Sequence, residues 1–341
     1  MFLSDYMEGC HIDVLKKLNE TNMESTSGYG TDKYTLSAKK KINDLLEEDN
    51  DIYFLLGGTE TNQVVIDKTL RTYEGVISVD TAHIVGHEAG AIEFGGHKVI
   101  MLPNHDGKLS SLDLDKYMIN FYKDSSYPHM VQPKMVYISN PTECGTLYTK
   151  KELEDIRNIC DKYNLYFYCD GARLAYALAS TKNDVSFKEF AKFFDAFYIG
   201  GTKCGLLFGE AVVLRNDSLK QGFFTTVKQH GALLAKGRIL GVQFDALFTD
   251  DLYFKIGSNA IKCANILKNG FKELGYKEYI DSPTNQLFII IDNDKYEKLK
   301  EYAEVTYWGI YDDNNTIIRF VTSWATKDDD CYKLLNILKE L

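Results

Sequence analysis

An α/β fold with a largely parallel sheet is what this sequence predicts, on three observations. Short apolar runs alternate with amphipathic runs from Ile52 to Leu214, the signature of βα units on a sheet covered on both faces. A chain of 341 residues, 45% of them apolar, can bury a large core with a smaller one beside it. Beyond about residue 245 the pattern changes to strand-like runs and a last amphipathic segment, as in a small α+β domain.

The elements follow in order. Residues 1–30, with the glycine-bearing STSGYGTD, read as an arm ahead of the first helix. In the large domain, 31–245, the strand-like runs are IYFLL, VISV, KVIML, KMVYIS, LYFYC, DAFYI and EAVVL. Between them TNQVVIDKTL, LDLDKYMINFY and KKELEDIRNICDKY carry helical periodicity. A long stretch from about Gln221 to Leu274 reads as helix from its three-to-four apolar spacing and joins the domains. In the small domain, 246–341, QLFIIID, VTYWGIY and TIIRFV read as strands and DDDCYKLLNILKEL as a closing helix.

Several classes are excluded. A formal charge of -10, with the lysines scattered, argues against nucleic acid. No charge-free apolar run is long enough to cross a bilayer. Seven widely spaced cysteines, without a C-x-x-C pair, read as reduced, and the start MFLSDYMEG meets acids before any apolar signal region. A cytoplasmic location is the expectation.

In open α/β sheets ligands gather at the carboxyl ends of the strands, and four such ends are informative. After IYFLL comes Gly57-Gly58-Thr59 turning into a helix, which suits a phosphate and equally makes an ordinary strand-to-helix turn. After VISVD comes His83, either a satisfied turn residue or an imidazole lying on a flat ligand. His87 lies where a metal pair with His83 is conceivable, but no third ligand has recognisable spacing, so no metal is expected. After LYFYC comes Asp170, which either pairs with Arg173 as a structural ion pair or faces a protonated heterocyclic nitrogen. After DAFYIGG comes Lys203, where burial would favour the neutral, nucleophilic amine able to form a Schiff base.

A phosphate turn, then a stacking group, then an acid, then a lysine, each on a successive strand end, is what pyridoxal 5′-phosphate requires. Lys203 holds the aldehyde, Asp170 keeps the ring nitrogen protonated, and the glycines beside Lys203 leave room for the cofactor.

The segments SDY, GYGTD, GGTETNQ, AHIVGHEAG, SNPTECGTLYTKKELEDI, DGARLAYAL, FYIGGTKCG, KQHGALLAKG and IIRFVTSWAT resemble the low-specificity threonine aldolases. These belong to the β-eliminating-lyase group of fold-type-I PLP enzymes, and the similarity spans nearly the whole chain. It implies phosphate contacts at Gly58 and Thr59, ring stacking by His83 and ring-nitrogen pairing with Asp170. It also implies a contact to the cofactor's phenolic oxygen from Arg173 and the Schiff base on Lys203. Ser4 and Arg319 would hold the substrate carboxylate, with Leu3 standing where the family has an arginine. Tyr29 and Lys228 fall where the family reaches across a subunit interface, so a homodimer or homotetramer with shared sites is implied. The segment after KMVYIS resembles the N-P-[ST] segment of aminotransferases, giving Asn140 a cofactor contact.

The expected reaction is a PLP-dependent retro-aldol cleavage of threonine or allo-threonine to glycine and an aldehyde. The loop after Ser139 reads Asn140-Pro141-Thr142-Glu143 without the histidine of better-known members. The base that takes the β-hydroxyl proton is then His83, Glu143 or a water, with His83 favoured. β-Elimination or transamination of another amino acid, and a PLP-binding protein with little turnover, are the alternatives.

Overall fold

The computed structural model describes residues 2–341. Each apolar run of the first part becomes a strand: β1 (Asp51–Leu55), β2 (Glu74–Val79), β3 (Lys98–Leu102), β4 (Gln132–Ser139), β5 (Tyr166–Asp170), β6 (Ala196–Gly200) and β7 (Glu210–Leu214). They form one seven-stranded sheet in the order β1-β7-β6-β5-β4-β2-β3. β6 is buried along its whole length, as is β7, as expected for strands covered on both faces. Only β7 runs against its neighbours. The loop Gly201–Gly209 that feeds it from β6 is too short to carry a crossover helix, so the chain must turn back on itself.

Helices cover the sheet where their caps and apolar faces dictate. The helix Lys150–Tyr163 starts at a capping box between Thr149 and Glu152 and buries Leu153, Ile156 and Cys160. The helix Gly58–Thr69 begins directly after β1 and turns its N-terminus toward the carboxyl ends of the strands.

The three later runs form β9 (Gln286–Asp292), β10 (Thr306–Ile310) and β11 (Asn315–Val321), and a short strand the sequence reading did not name, β8 (Lys277–Ile280), joins them in an antiparallel sheet of order β10-β11-β9-β8. Leu267 and Phe271 of the helix Leu252–Glu273 and Leu334 of the helix Asp328–Glu340 pack with Ile289 and Phe320 in a second core. The first half of the helix Leu252–Glu273, from Leu252 to Ile261, belongs instead to the core of the large sheet.

Two elements differ from expectation. The stretch from Gln221 to Leu274 is not continuous helix but three helices, Phe223–Gln229, Arg238–Leu247 and Leu252–Glu273. The chain leaves helical geometry at Gly231 (φ +78), Asp250 (φ +51) and Asp251 (φ +58). The N-terminal arm contains its own helix, Ile12–Thr21, which packs on the helix Arg238–Leu247. Of its first turns only Val14 is fully buried, too sparse an apolar stripe to read from sequence. Ahead of that helix, Phe2 enters the second core and its carbonyl accepts from Val321 N (2.9 Å), which brings Ser4, Asp5 and Tyr6 to the junction of the two sheets.

Candidate active site

At the carboxyl ends of β4, β5 and β6 lies a cavity of about 290 Å³, and Gly58, Thr59, His83, Asp170, Arg173 and Lys203 all line it. β5 and β6 lie side by side in parallel, and their backbones approach closely at the ends that open on the cavity. The Gly200 N–H donates to Gly171 O (2.9 Å). A Cβ on Gly171 would lie 2.0 Å from the Tyr198 carbonyl oxygen, and one on Gly200 would lie 2.1 Å from that of Ala172. Of the glycines beside Lys203, Gly200 and Gly201 thus admit the Ala172 and Gly209 carbonyls, and Gly205 faces the Ile256 side chain, not the ligand room that the sequence suggests.

Asp170, the last residue of β5, is buried and does not pair with Arg173. Its Oδ1 accepts from Tyr198 Oη (2.5 Å) and Ala172 N (3.0 Å), and its Oδ2 from Tyr137 Oη (2.7 Å) and Asn62 Nδ2 (3.2 Å). Burial works against its charge, but His83 and the two tyrosine hydroxyls outweigh it and hold the carboxyl below its ordinary value. Arg173 instead forms a two-point pair with Asp5, which also accepts from Asn285 Nδ2 (2.9 Å).

Lys203 follows β6 in the loop Gly201–Gly209, where its carbonyl accepts from Tyr176 Oη (2.5 Å). Burial, and then the neighbouring Arg173 cation, push its amine below the ordinary value, against the pull of Asp5, Asp170 and Glu210. Glu210, the first residue of β7, accepts from Gly201 N (2.9 Å), and burial pushes its carboxyl up to about 7.

His83 opens a short helix after β2, and its Nδ1 lies 2.7 Å from Glu88 Oε1. Glu88 is buried and also accepts from Asn62 Nδ2 (2.7 Å), so His83, Glu88, Asn62 and Asp170 form one connected set. Gly58 and Thr59 lie in the first turn of their helix, ahead of the first intrahelical donor, Thr61 N, which bonds Gly57 O (2.9 Å). Their N–H groups therefore have no acceptor within the helix.

The remaining expected residues stand outside the cavity lining. Asn140 is buried, and its Oδ1 accepts from Tyr148 N (3.2 Å); Pro141 and Glu143 reach the cavity instead. Arg319, on β11, donates to Gln286 Oε1 (3.0 Å) and Thr306 Oγ1 (3.3 Å), and its guanidinium lies 5.4 Å from the Trp308 ring centroid. Thr306 Oγ1 in turn donates to Leu3 O (2.9 Å), so Arg319 and the N-terminal segment are linked. Ser4 Oγ and Arg319 Nε are both buried without a partner. Tyr29 and Lys228 meet each other, with the Lys228 ammonium 5.2 Å from the Tyr29 ring centroid, in a region separate from Lys203.

Sequence reasoning passed over Tyr137, Tyr198, Asn62, Glu88 and Glu210, and gave the Ser4-Asp5 pair to the substrate carboxylate, not Asp5 to Arg173. The tyrosines read there as core residues of apolar strands. Asn62 and Glu88 had a signal: they sit three residues after Thr59 and five after His83, at strand ends already singled out.

Residues 2–294 match the beta-eliminating lyase family. The chain belongs to that family. Among curated relatives, the low-specificity L-threonine aldolase of Pseudomonas aeruginosa is 29% identical over 336 residues, covering 95% of this chain and 93% of that protein. The solved structure of Leishmania major threonine aldolase superposes with a TM-score of 0.96 at 42% identity, covering 99% of this chain and 98% of that one. An aspartate aminotransferase from Thermus thermophilus, 11% identical, covers 98% of this chain and 89% of its own with a TM-score of 0.70, a likeness of fold alone. Beta-eliminating lyases depend on pyridoxal 5′-phosphate, and this lyase has residues that fit it. An ionised carboxylate and a lysine amine with lowered basicity face one cavity, beside backbone donors without acceptors.

Proposed function

We propose that this lyase cleaves a β-hydroxy-α-amino acid, threonine or allo-threonine, to glycine and an aldehyde by a retro-aldol reaction. The observation that carries the reading is the convergence of Lys203 and Asp170 on one cavity from the ends of β6 and β5. Pyridoxal 5′-phosphate, when bound, supplies an electron-poor ring that accepts the electron pair released at the substrate's Cα.

Lys203 offers the amine that would hold the cofactor aldehyde. Asp170, held below its ordinary value against burial by His83 and the Tyr198 and Tyr137 hydroxyls, would pair with the ring nitrogen. Gly58 and Thr59 offer N–H groups to the phosphate. His83, fixed in orientation by Glu88, would cover a face of the ring, and Arg173 would serve the phenolic oxygen. The unpartnered Arg319 Nε and Ser4 Oγ suit the substrate carboxylate, because buried donors without acceptors favour a charged acceptor. Asn140, which holds the loop through Tyr148 N, would support the cofactor site from outside the cavity lining. Tyr29 and Lys228 fit a homodimer or homotetramer in which they complete a neighbouring subunit's site.

Among the described residues no helix is long and apolar enough to cross a membrane. All seven cysteines are unpaired, which suits a reducing cytoplasmic setting.

The test supplies both C3 epimers of threonine and measures glycine and acetaldehyde against 2-oxobutyrate and ammonia. Glycine with acetaldehyde is expected; the second pair would reassign the enzyme to elimination. Lys203→Ala should lose the borohydride-sensitive visible absorbance.

A further inference from the structure

Glu143 stands at the mouth of the loop after β4, and its carboxyl lines the same cavity as Lys203. Only Oε1 is engaged: it accepts from Ser139 Oγ (2.6 Å) and from the His83 backbone N–H (3.0 Å). Both donors are neutral, and among the described residues no cation pairs with the carboxylate within ion-pair distance. Two fixed bonds to one oxygen lock the plane of the group and leave Oε2 free for a ligand.

His83 is the other candidate for taking a proton here, but its Nδ1 is committed to Glu88. Although burial opposes it, Glu88 and Asp170 bias the ring toward its charged form, which has no proton-accepting nitrogen. Glu143 is shifted in the same direction, but from the lower starting value of a carboxylate. Burial pushes its carboxyl above the ordinary value of 4.5, with Asp170 adding to that and Ser139 and His83 opposing it. A more basic carboxylate is a better proton acceptor near neutral pH. Besides Asp170 and His83, the charged group that feels Glu143 is Arg173 on the segment after β5.

Resting on the aldolase reading, we propose that Glu143 Oε2 takes the substrate's β-hydroxyl proton, with His83 positioning the carboxylate through its backbone N–H. The O–H bond breaks with its proton passing to Glu143. The pair released from the O–H bond completes the aldehyde C=O as Cα–Cβ breaks, and the Cα–Cβ bonding pair goes to Cα. Cα then gains one proton from water while Glu143 returns its own to water, so threonine gives glycine and acetaldehyde with no other reactant.

The experiment uses holoenzyme carrying Glu143→Gln, which keeps an oxygen for both donors. Threonine cleavage should fall by about 10²- to 10⁴-fold in kcat with KM little changed. Visible cofactor absorbance and exchange of the glycine α-hydrogen in D₂O, which need no hydroxyl base, should persist. Glu143→Asp should recover part of the rate. Cleavage by Glu143→Gln within about threefold of wild type, well short of the loss a general base gives, would overturn the proposal. So would loss of glycine exchange and absorbance together with cleavage, because Glu143 would then be building the site. Wild-type enzyme that releases no glycine and aldehyde would refute the aldolase reading itself, a result distinct from a defect confined to the variants.

Discussion

Arg173 turns from Asp170, three residues before it, to Asp5, with Nε–Oδ2 at 2.6 Å and Nη2–Oδ1 at 3.0 Å. The consequence reaches both residues at the end of β5. Asp170 is left to neutral donors and so keeps a net charge for a cationic ring nitrogen, while Arg173 anchors the N-terminal segment that carries Ser4 and Tyr6. One ion pair thus joins the arm, the second core and the cavity.

Asp5→Ala should destabilise the fold by about 3–5 kcal/mol, because it strands a buried guanidinium. Urea unfolding of Asp5→Ala, Arg173→Ala and the double variant checks this; the double variant should be less unstable than the sum of the two. Burial would raise the Asp5 carboxyl, but Arg173 and Lys203 hold it below its ordinary 3.8. A depressed carboxylate stabilises the folded state above 3.8, and that contribution fades as pH falls through the lowered value. The acid limb of the wild-type stability curve should be shallower in Asp5→Ala.

Tyr198→Phe removes the 2.5 Å hydroxyl from Asp170 Oδ1, leaving that oxygen only Ala172 N. A hydrogen bond to a charged group is worth about 1.5–3 kcal/mol. The variant should lose stability of that order. The loss of the Asp170 contribution on acidification should also begin at a higher pH than in wild type, because the lowered carboxyl moves back up. Thermal melts across pH measure both; an unchanged acid limb would show that Tyr198 packs without tuning Asp170.

The strand ends were legible because local pattern carries them. An apolar run followed by a polar residue and a glycine marks where a buried strand meets the surface, and Asp170 and Lys203 both sit at such points. What pairs with what was not legible. Asp5 and Arg173 are 168 residues apart, and no periodicity connects them. Tyr137, Tyr168 and Tyr198 look apolar in a run of strand residues, yet the hydroxyls of Tyr137 and Tyr198 meet Asp170 and that of Tyr168 meets Asn62. Gly200, beside Lys203, misled for the same reason: the Ala172 carbonyl it makes way for comes from a different strand end. Breaks in the helical stretch after Gln221 lay in left-handed aspartates as well as glycines, which a reading of apolar spacing passes over.

Arg319 has donors but no carboxylate among its partners, and burial, followed by Arg173, brings its guanidinium down to about 10. It stays charged at neutral pH and lacks a counter-ion until one arrives. Arg319→Ala should weaken the amino-acid substrate by about 2–5 kcal/mol, read mainly in KM. Arg319→Lys should not restore it, since an ammonium cannot reproduce the planar fork. Steady-state kinetics on threonine decides; unchanged KM and kcat in Arg319→Ala would remove it from the site.

Glu210 offers a pH signature of opposite sign. Its carboxyl is raised from 4.5 to about 7, chiefly by burial, with Gly201 N as its backbone donor. Between those values the folded state holds a proton that the unfolded chain has released, so stability should fall as pH rises from 4.5 to about 7. At about 1.4 kcal/mol per unit, the total is ~3 kcal/mol. Glu210→Gln keeps an oxygen for Gly201 N and carries no titrating proton. Its stability should therefore be flatter across that window and exceed wild type at the alkaline end. Urea midpoints of the two proteins, measured without added cofactor at half-unit steps, provide the test, and parallel curves would mean that Glu210 is ionised in the fold throughout.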